Sequence, residues 1–378
     1  MNRAPTMEIA YPSSLENFWV QHTLRELGIN ALEEKQHLLE QHIQRLSDAF
    51  TKERNSLTKD YFNDPLAICT YGLFYFPQTY VRTLFAFRDL LMRGWRPPER
   101  CSILDLGAGM GAASLAIAAQ IPGSPITAVD RSESSLSILK EAASIQRQTV
   151  EIHVDDAIHF CSTNRKRFDF IVASFSLSEM NVSSVEWTSV FGSMLTPQGI
   201  VLILEPSLQS TAEWLEQWRD QLSDANEFHI WAPCLHRQKC PLLQSGKYWC
   251  HEVRSWDPPQ SLQFVNRRLY REVHITRFSF LAFGKAPPLQ FPGLSMRMIS
   301  PLSKQKRDYL LTGCANDGKA HSFRISGRNL RVENRRLIRK LERGDILVEE
   351  EKGILILESG LVFVVKNRSS DHHEVRNE

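Results

Sequence analysis

The segment Ser102–Gly111, SILDLGAGMG, limits what this chain can fold into more than any other. Ile103, Leu104 and Leu106 make a short apolar run that reads as a buried strand, and it passes directly into Asp105-x-Gly107-x-Gly109-x-Gly111. A small-residue helix, Ala112–Ala119, follows. Glycine lets the main chain turn sharply and pass close to a ligand at the carboxyl end of a strand, which is where open α/β sheets bind. The dinucleotide form of such a loop, G-x-G-x-x-G, would need glycine at 112, where Ala112 stands. The glycines alone therefore do not choose the ligand.

The surroundings extend the pattern. After Pro97-Pro98, apolar runs at Ser102–Gly107, Ile126–Asp130, Val150–Asp155, Phe168–Ala173 and Ile200–Glu205 alternate with helical periodicity, as a doubly wound parallel sheet requires. Further strands are expected at Val273–Thr276 and Phe278–Phe283, beyond an irregular segment, His229–Pro259, that holds three of the seven cysteines. Before the sheet, Leu24, Leu27, Leu32, Leu38, Leu39, Ile43 and Leu46 recur at helical spacing, and an aromatic stretch from Tyr71 to Phe87 is expected to end or kink at Pro77. That stretch reads as a hydrophobic cap over the sheet, with base stacking as the rival. After Pro287-Pro288 come short β-runs at Tyr309–Gly313, His321–Ile325, Asp345–Glu349, Ile354–Glu358 and Leu361–Lys366. The expected organisation is a helical block over 1–98, a Rossmann-like domain over 99–286 with a cysteine-rich insertion at 229–259, a small basic β domain over 287–368 that is OB-like by analogy, and a flexible tail at 369–378.

Acidic residues end the second and third strands. Asp130 can accept hydrogen bonds from ribose hydroxyls, and Asp155-Asp156 stand where an adenine edge would lie. Strand, glycine loop and two acidic strand ends resemble the class I S-adenosylmethionine-dependent methyltransferases, with Leu104–Gly111 close to that family's first motif. The resemblance implies S-adenosylmethionine as the cofactor and Asp105, Gly107, Ala108, Gly109, Gly111, Asp130, Asp155, Asp156 and Ser174 as its binding residues. The fourth strand runs into Ala173-Ser174-Phe175-Ser176-Leu177-Ser178. That sequence has neither the Asn/Asp-Pro-Pro-Tyr/Phe loop of amino-group methylases nor the cysteine nucleophile of cytosine-C5 methylases, so those two chemistries are disfavoured. Transfer by in-line attack on a sulfonium methyl needs mainly geometry, so no catalytic residue is assigned.

Cys234, Cys240 and Cys250 are spaced too loosely for a zinc finger, yet a loop folded around a metal could present all three; the fourth ligand would be His236, His251, His274 or the remote Cys314. Cys69, Cys101 and Cys161 lie in segments that read as buried. The Tyr71…Tyr75-Phe76-Pro77…Tyr80 segment, the glycine loop, Pro233-Cys234-x-His236…Cys240-Pro241-Leu242…Trp249-Cys250-His251 and Leu310-Leu311-Thr312-Gly313-Cys314 together resemble the Rsm-type methyltransferase-like family. Its members are mitochondrial small-ribosomal-subunit assembly factors and their bacterial relatives. The resemblance implies a [4Fe–4S] cluster on Cys234, Cys240, Cys250 and Cys314, whereas an all-thiolate set by itself suits iron–sulfur or zinc.

Charge is nearly balanced over the 378 residues, 45 Lys and Arg against 43 Asp and Glu, so any polyanion-binding face must be local. Basic residues do gather between Lys319 and Arg343, and Arg324, Arg328, Arg335, Arg336, Arg339 and Arg343 are the candidate RNA contacts, with a merely solvated helix face as the alternative. The partner implied is small-subunit rRNA or an immature small ribosomal subunit. No apolar stretch approaches the roughly 20 residues of a membrane span. Met1–Ser14 lacks the apolar core of a secretory signal and the Arg-rich character of a transit peptide, so a cytoplasmic protein is expected. Nothing in the sequence calls for an obligate oligomer. The expectation is a rRNA methyltransferase or methyltransferase-like assembly factor; a non-catalytic assembly protein and a zinc-containing methyltransferase of small molecules or proteins are the rivals.

Overall fold

The structure is a computed structural model and describes residues 7–51, 64–180, 182–246, 248–291, 293–327, 332–350, 353–358 and 361–366. Five parallel strands form its centre: β1 (Ile103–Leu106), β2 (Ile126–Asp130), β3 (Val150–Val154), β4 (Phe168–Ser174) and β5 (Leu195–Glu205). Three more complete the sheet: β6 (His229–Ala232), β7 (Glu252–Ser255) and β8 (Ile275–Gly284). The strand order is β3-β2-β1-β4-β5-β8-β6, with β8 antiparallel to both neighbours and β7 paired to its first half. The order reverses at β1, between β2 and β4, which opens a crevice at the carboxyl ends of β1 and β4.

The inner strands β1, β4 and β5 read as near-continuous apolar runs because both faces are covered, whereas the edge strand β3 alternates and is partly exposed. Ile103, Ile126, Ala128, Phe170, Val172, Leu202 and Leu204 join one core. That core is covered by α1 (Ser13–Leu27), α2 (Gln36–Thr51), α3 (Pro65–Thr70), α4 (Phe76–Met92), α5 (Ala112–Gln120) and α6 (Glu133–Ile145). Leu104, Leu106, Val129, Ile171, Ala173, Val201 and Ile203 face the other way. They pack under α7 (Ala157–Thr163), α8 (Ser184–Met194) and α9 (Gln209–Ala225). The aromatic stretch is thus a cap: Phe87 and Trp95 lie against Phe170 of β4 with ring centroids 5.8 and 5.1 Å away.

Two local expectations change. Pro77 does not end the helix: a π-helical turn, Tyr71–Tyr75, leads straight into α4, and Pro77 occupies its first turn, where a missing N–H costs little. The two strands expected at 273–276 and 278–283 are one, β8, and the insertion supplies β6 as the outer strand. The rest of the insertion holds α10 (Pro241–Ser245), and α11 (Gln260–Asn266) follows it.

The C-terminal part is a curled antiparallel sheet. It contains β9 (Ser295–Met298), β10 (Ser303–Gln305), β11 (Asp308–Ala315), β12 (Ala320–Ser326), β13 (Ile346–Glu350), β14 (Gly353–Glu358) and β15 (Leu361–Lys366). Met296, Met298, Tyr309, Leu311 and Leu347 form its own core with Ile338 of α12 (Val332–Ile338). It is tied to the larger domain by a buried charge network. Arg297 of β9 pairs with Asp89 of α4 and, at 3.0 Å, with Glu252 of β7, while Arg254 pairs with Glu252 at 2.8 Å and with Asp345. All five side chains are 5% exposed or less. The tail at 369–378 lies outside the described residues.

Candidate functional site

Gly107 and Ala108 leave β1 with their N–H groups donating to the Val129 carbonyl of β2, at 2.9 and 3.1 Å, so the loop is hung on the neighbouring strand. Gly107 has φ +68°, and a Cβ there would come within 2.5 Å of the Ser176 Cβ. Gly109 has φ +51° and faces open space, with nothing within 4 Å of an added Cβ. The loop is therefore closed beneath and open above, which is what a ligand lying across it needs. Gly111 caps α5 against Leu139.

Beneath the loop, Asp105 is 1% exposed. Its Oδ2 accepts the Ser114 N–H at 3.3 Å, and its Oδ1 has no partner. Burial pushes its pKa up to about 7. A buried carboxyl oxygen without a donor calls for an explanation, and a ligand N–H or ammonium would supply one. Asp130 accepts the Gly109 N–H at 2.8 Å and the Ser132 N–H at 2.9 Å, holding loop and strand end together while each oxygen keeps a second lone pair. Asp155 faces His159 at 2.9 Å. Asp156 is occupied otherwise: it caps α7 by accepting the N–H groups of Ile158 and His159 and pairs with Arg131, which holds its carboxyl below the usual range. The Ser174 hydroxyl, at the end of β4, is buried and without a partner.

Residues that sequence reasoning did not assign stand around the same crevice. Phe175, just beyond β4, has φ +59°, an uncommon conformation for an aromatic residue. Ser176 donates to the Leu106 carbonyl at 2.8 Å, tying β4 to β1. Glu205, fully buried at the end of β5, accepts the N–H and hydroxyl of Ser178 at 3.0 and 2.6 Å. Arg82 of α4 reaches over Phe175, 5.4 Å from its ring centroid. None lies near the glycine loop in sequence, so only the unusual backbone of Phe175 could have marked them, and a backbone angle is not readable from sequence.

The cysteine set does come together. Cys234, Cys240, Cys250 and Cys314 all line one cavity of about 40 Å³ between the insertion, α9, β8 and the C-terminal sheet; its wall also includes Glu216, Arg219, His236 and Arg297. His236 Nε2 stands 3.3 Å from Cys314 Sγ, and Arg219 donates to the His236 carbonyl at 2.8 Å. The Cys240 N–H donates to Asp220 at 3.0 Å, and the Cys250 N–H to Glu216 at 2.6 Å. Burial and mutual repulsion push the thiol of Cys240 up to about 12 and also raise those of Cys250 and Cys314. Among the described residues, no group of three or more His, Cys, Asp or Glu side chains is arranged to hold a metal ion. Of the other sequence candidates, His251 is turned to the Trp249 carbonyl, and Cys69, Cys101 and Cys161 are buried.

The basic residues divide. Arg336 and Arg339 are exposed, Arg335 is half-buried, and Arg339 also donates to the Tyr309 hydroxyl at 3.2 Å. Arg324 is exposed but paired with Asp308. Arg343 turns inward and donates to the carbonyls of His251 and Trp249 at 2.8 and 2.7 Å, so it braces the cysteine loop. Arg328 lies outside the described residues. Among the described residues, no helix is long and apolar enough to cross a membrane.

The strand order, the antiparallel β8 and the acidic glycine loop define a Rossmann-like fold of the class I methyltransferase type. The chain belongs to the Rsm22 family, described as mitochondrial small ribosomal subunit Rsm22, which it matches over residues 65–347. No curated protein matches it. Solved structures similar to it include a ribosomal protein L11 methylase from Lactobacillus delbrueckii subsp. bulgaricus, with 15% identity over 55% of this chain and 79% of that one and a TM-score of 0.34. TrmN from Thermus thermophilus has 19% identity over 56% and 52%, with a TM-score of 0.33. The plantazolicin methyltransferase BpumL in complex with SAH has 14% identity over 67% and 97%, with a TM-score of 0.36.

Proposed function

We propose that this protein is a methyltransferase-like factor of the small ribosomal subunit that binds S-adenosylmethionine in the β1–β4 crevice, carries a [4Fe–4S] cluster on Cys234, Cys240, Cys250 and Cys314, and contacts rRNA through its basic C-terminal face. The observation that carries the donor assignment is the unpartnered Oδ1 of Asp105 beneath a glycine loop open at Gly109. The donor supplies an electrophilic sulfonium methyl group. The chain's own part is positional: Asp105 takes the donor's ammonium, Asp130 the ribose hydroxyls, and Asp155 or its neighbouring amides the adenine edge.

Four thiols on one wall, Cys240 buried and the others half-buried, suit a soft metal centre, and Arg219 and Arg297 in the same wall offset part of the negative charge that thiolates would bring. An all-thiolate set suits iron–sulfur or zinc, and the family resemblance favours iron–sulfur. Three ligands come from the insertion and one from β11, so the centre would pin the two domains together. The family's description supports a ribosomal partner, and it is mitochondrial where the chain's first residues had suggested the cytoplasm.

Incubating the protein with labelled donor and immature small subunits tests the reading. Saturable donor binding and crosslinking to rRNA are expected, and label in the RNA identifies a methyltransferase. Absence of donor binding would overturn the reading.

A further inference from the structure

We infer that Arg82 is the receptor for the donor's carboxylate, an inference that rests on the donor reading above. Arg82 projects from α4 over the carboxyl edge of the sheet. Its Nε donates to Thr276 Oγ1 at 2.5 Å and its Nη2 to Gln78 Oε1 at 3.1 Å, both neutral acceptors. Nη1 has no partner among the described residues and is not sealed from solvent. Arg297 and Arg254, buried nearby, are each matched to carboxylates. Arg82 has none among the described residues, its side-chain partners being Thr276 and Gln78. A guanidinium drawn from water onto an aromatic ring without a counter-anion is an anion site awaiting its ligand.

Its place identifies the anion. Phe175, whose ring carries the guanidinium, is held by its N–H on the Leu204 carbonyl at 2.8 Å, and the next residue, Ser176, packs against Gly107. The crevice therefore offers one unsatisfied carboxylate oxygen and one unmatched guanidinium around a single glycine loop. That pair is complementary to an α-amino-acid zwitterion, the head of the methionine portion of the donor, with ammonium to Asp105 and carboxylate to Arg82.

Calorimetry on the full chain with S-adenosylhomocysteine and with 5′-methylthioadenosine, which lacks the amino-acid head, tests this. Arg82→Gln should weaken S-adenosylhomocysteine by about 10- to 100-fold, the value of a charge-assisted hydrogen bond, and leave methylthioadenosine within about twofold. Arg82→Lys should fall between. Unchanged S-adenosylhomocysteine affinity in Arg82→Gln, or equal losses for both ligands, would overturn the assignment. Weaker RNA crosslinking with unchanged nucleoside affinity would give Arg82 to an RNA phosphate instead and also overturn it. Wild-type protein that binds neither nucleoside would remove the donor reading itself, which separates that failure from the failure of Arg82.

Discussion

His236 and Cys314 meet across 78 residues of chain, the imidazole Nε2 standing 3.3 Å from the sulfur. The contact joins the insertion to β11, and Arg219 braces it from α9 through the His236 carbonyl. If the cluster completes this junction, Cys314→Ser should lower the melting temperature and expose the segment after Gly284 to limited proteolysis, while Cys161→Ser, in α7 and outside the cysteine cavity, should expose no such segment. Equal melting and digestion of Cys314→Ser and wild type would remove Cys314 from the ligand set.

The buried network between domains has a testable cost. Asp89 is 2% exposed and pairs with Arg297, so Asp89→Asn leaves a guanidinium short of its counter-charge. A loss of about 3–5 kcal/mol is expected by denaturant unfolding, the usual result of removing one partner of a buried pair. A loss below about 1 kcal/mol would mean that Glu252 alone suffices.

Asp105 gives a pH signature. Burial raises its pKa from 3.8 to about 7, so the stability it contributes to the ligand-free protein is fully present below about pH 4 and is lost as pH rises towards 7. Acidifying from pH 7.5 to 5.5 should stabilise wild type over Asp105→Asn by about 2 kcal/mol. Donor affinity should move oppositely, rising through pH 7 as the carboxylate forms to meet the ligand's ammonium. Parallel stability profiles for the two proteins would show that Asp105 does not titrate there.

The basic face predicts a salt effect. Replacing the exposed Arg336, Arg339 and Lys340 with Ala should weaken RNA binding and reduce the slope of log affinity against log salt by about 2, since about 0.7–0.9 of a counterion is released per phosphate contact. Arg343→Ala should instead destabilise the cysteine loop that it holds. Equal slopes would show that the stretch from Arg336 to Lys340 does not touch phosphate.

The sheet was legible because both faces of its inner strands are covered, which turns β1, β4 and β5 into apolar runs, and because the Asp105–Gly111 loop has few structural uses. The four cysteines were legible as a set only through resemblance; their spacing left zinc and iron–sulfur open. Arg82 and Phe175 were not legible, since a helical arginine more than twenty residues upstream of the loop and an aromatic residue in a left-handed turn acquire meaning only when the chain brings them over one crevice. Pro77 misled because proline ends helices, yet at the start of a helix, after a π-helical turn, it costs nothing. Arg343 looked like the end of a basic stripe because periodicity does not show which way a guanidinium turns.

The most direct test is iron, acid-labile sulfide and zinc analysis of protein purified without oxygen, together with its absorbance near 400 nm. About four irons and four sulfides per chain are expected, falling sharply in Cys314→Ser. One zinc per chain with no iron or sulfide would contradict the account.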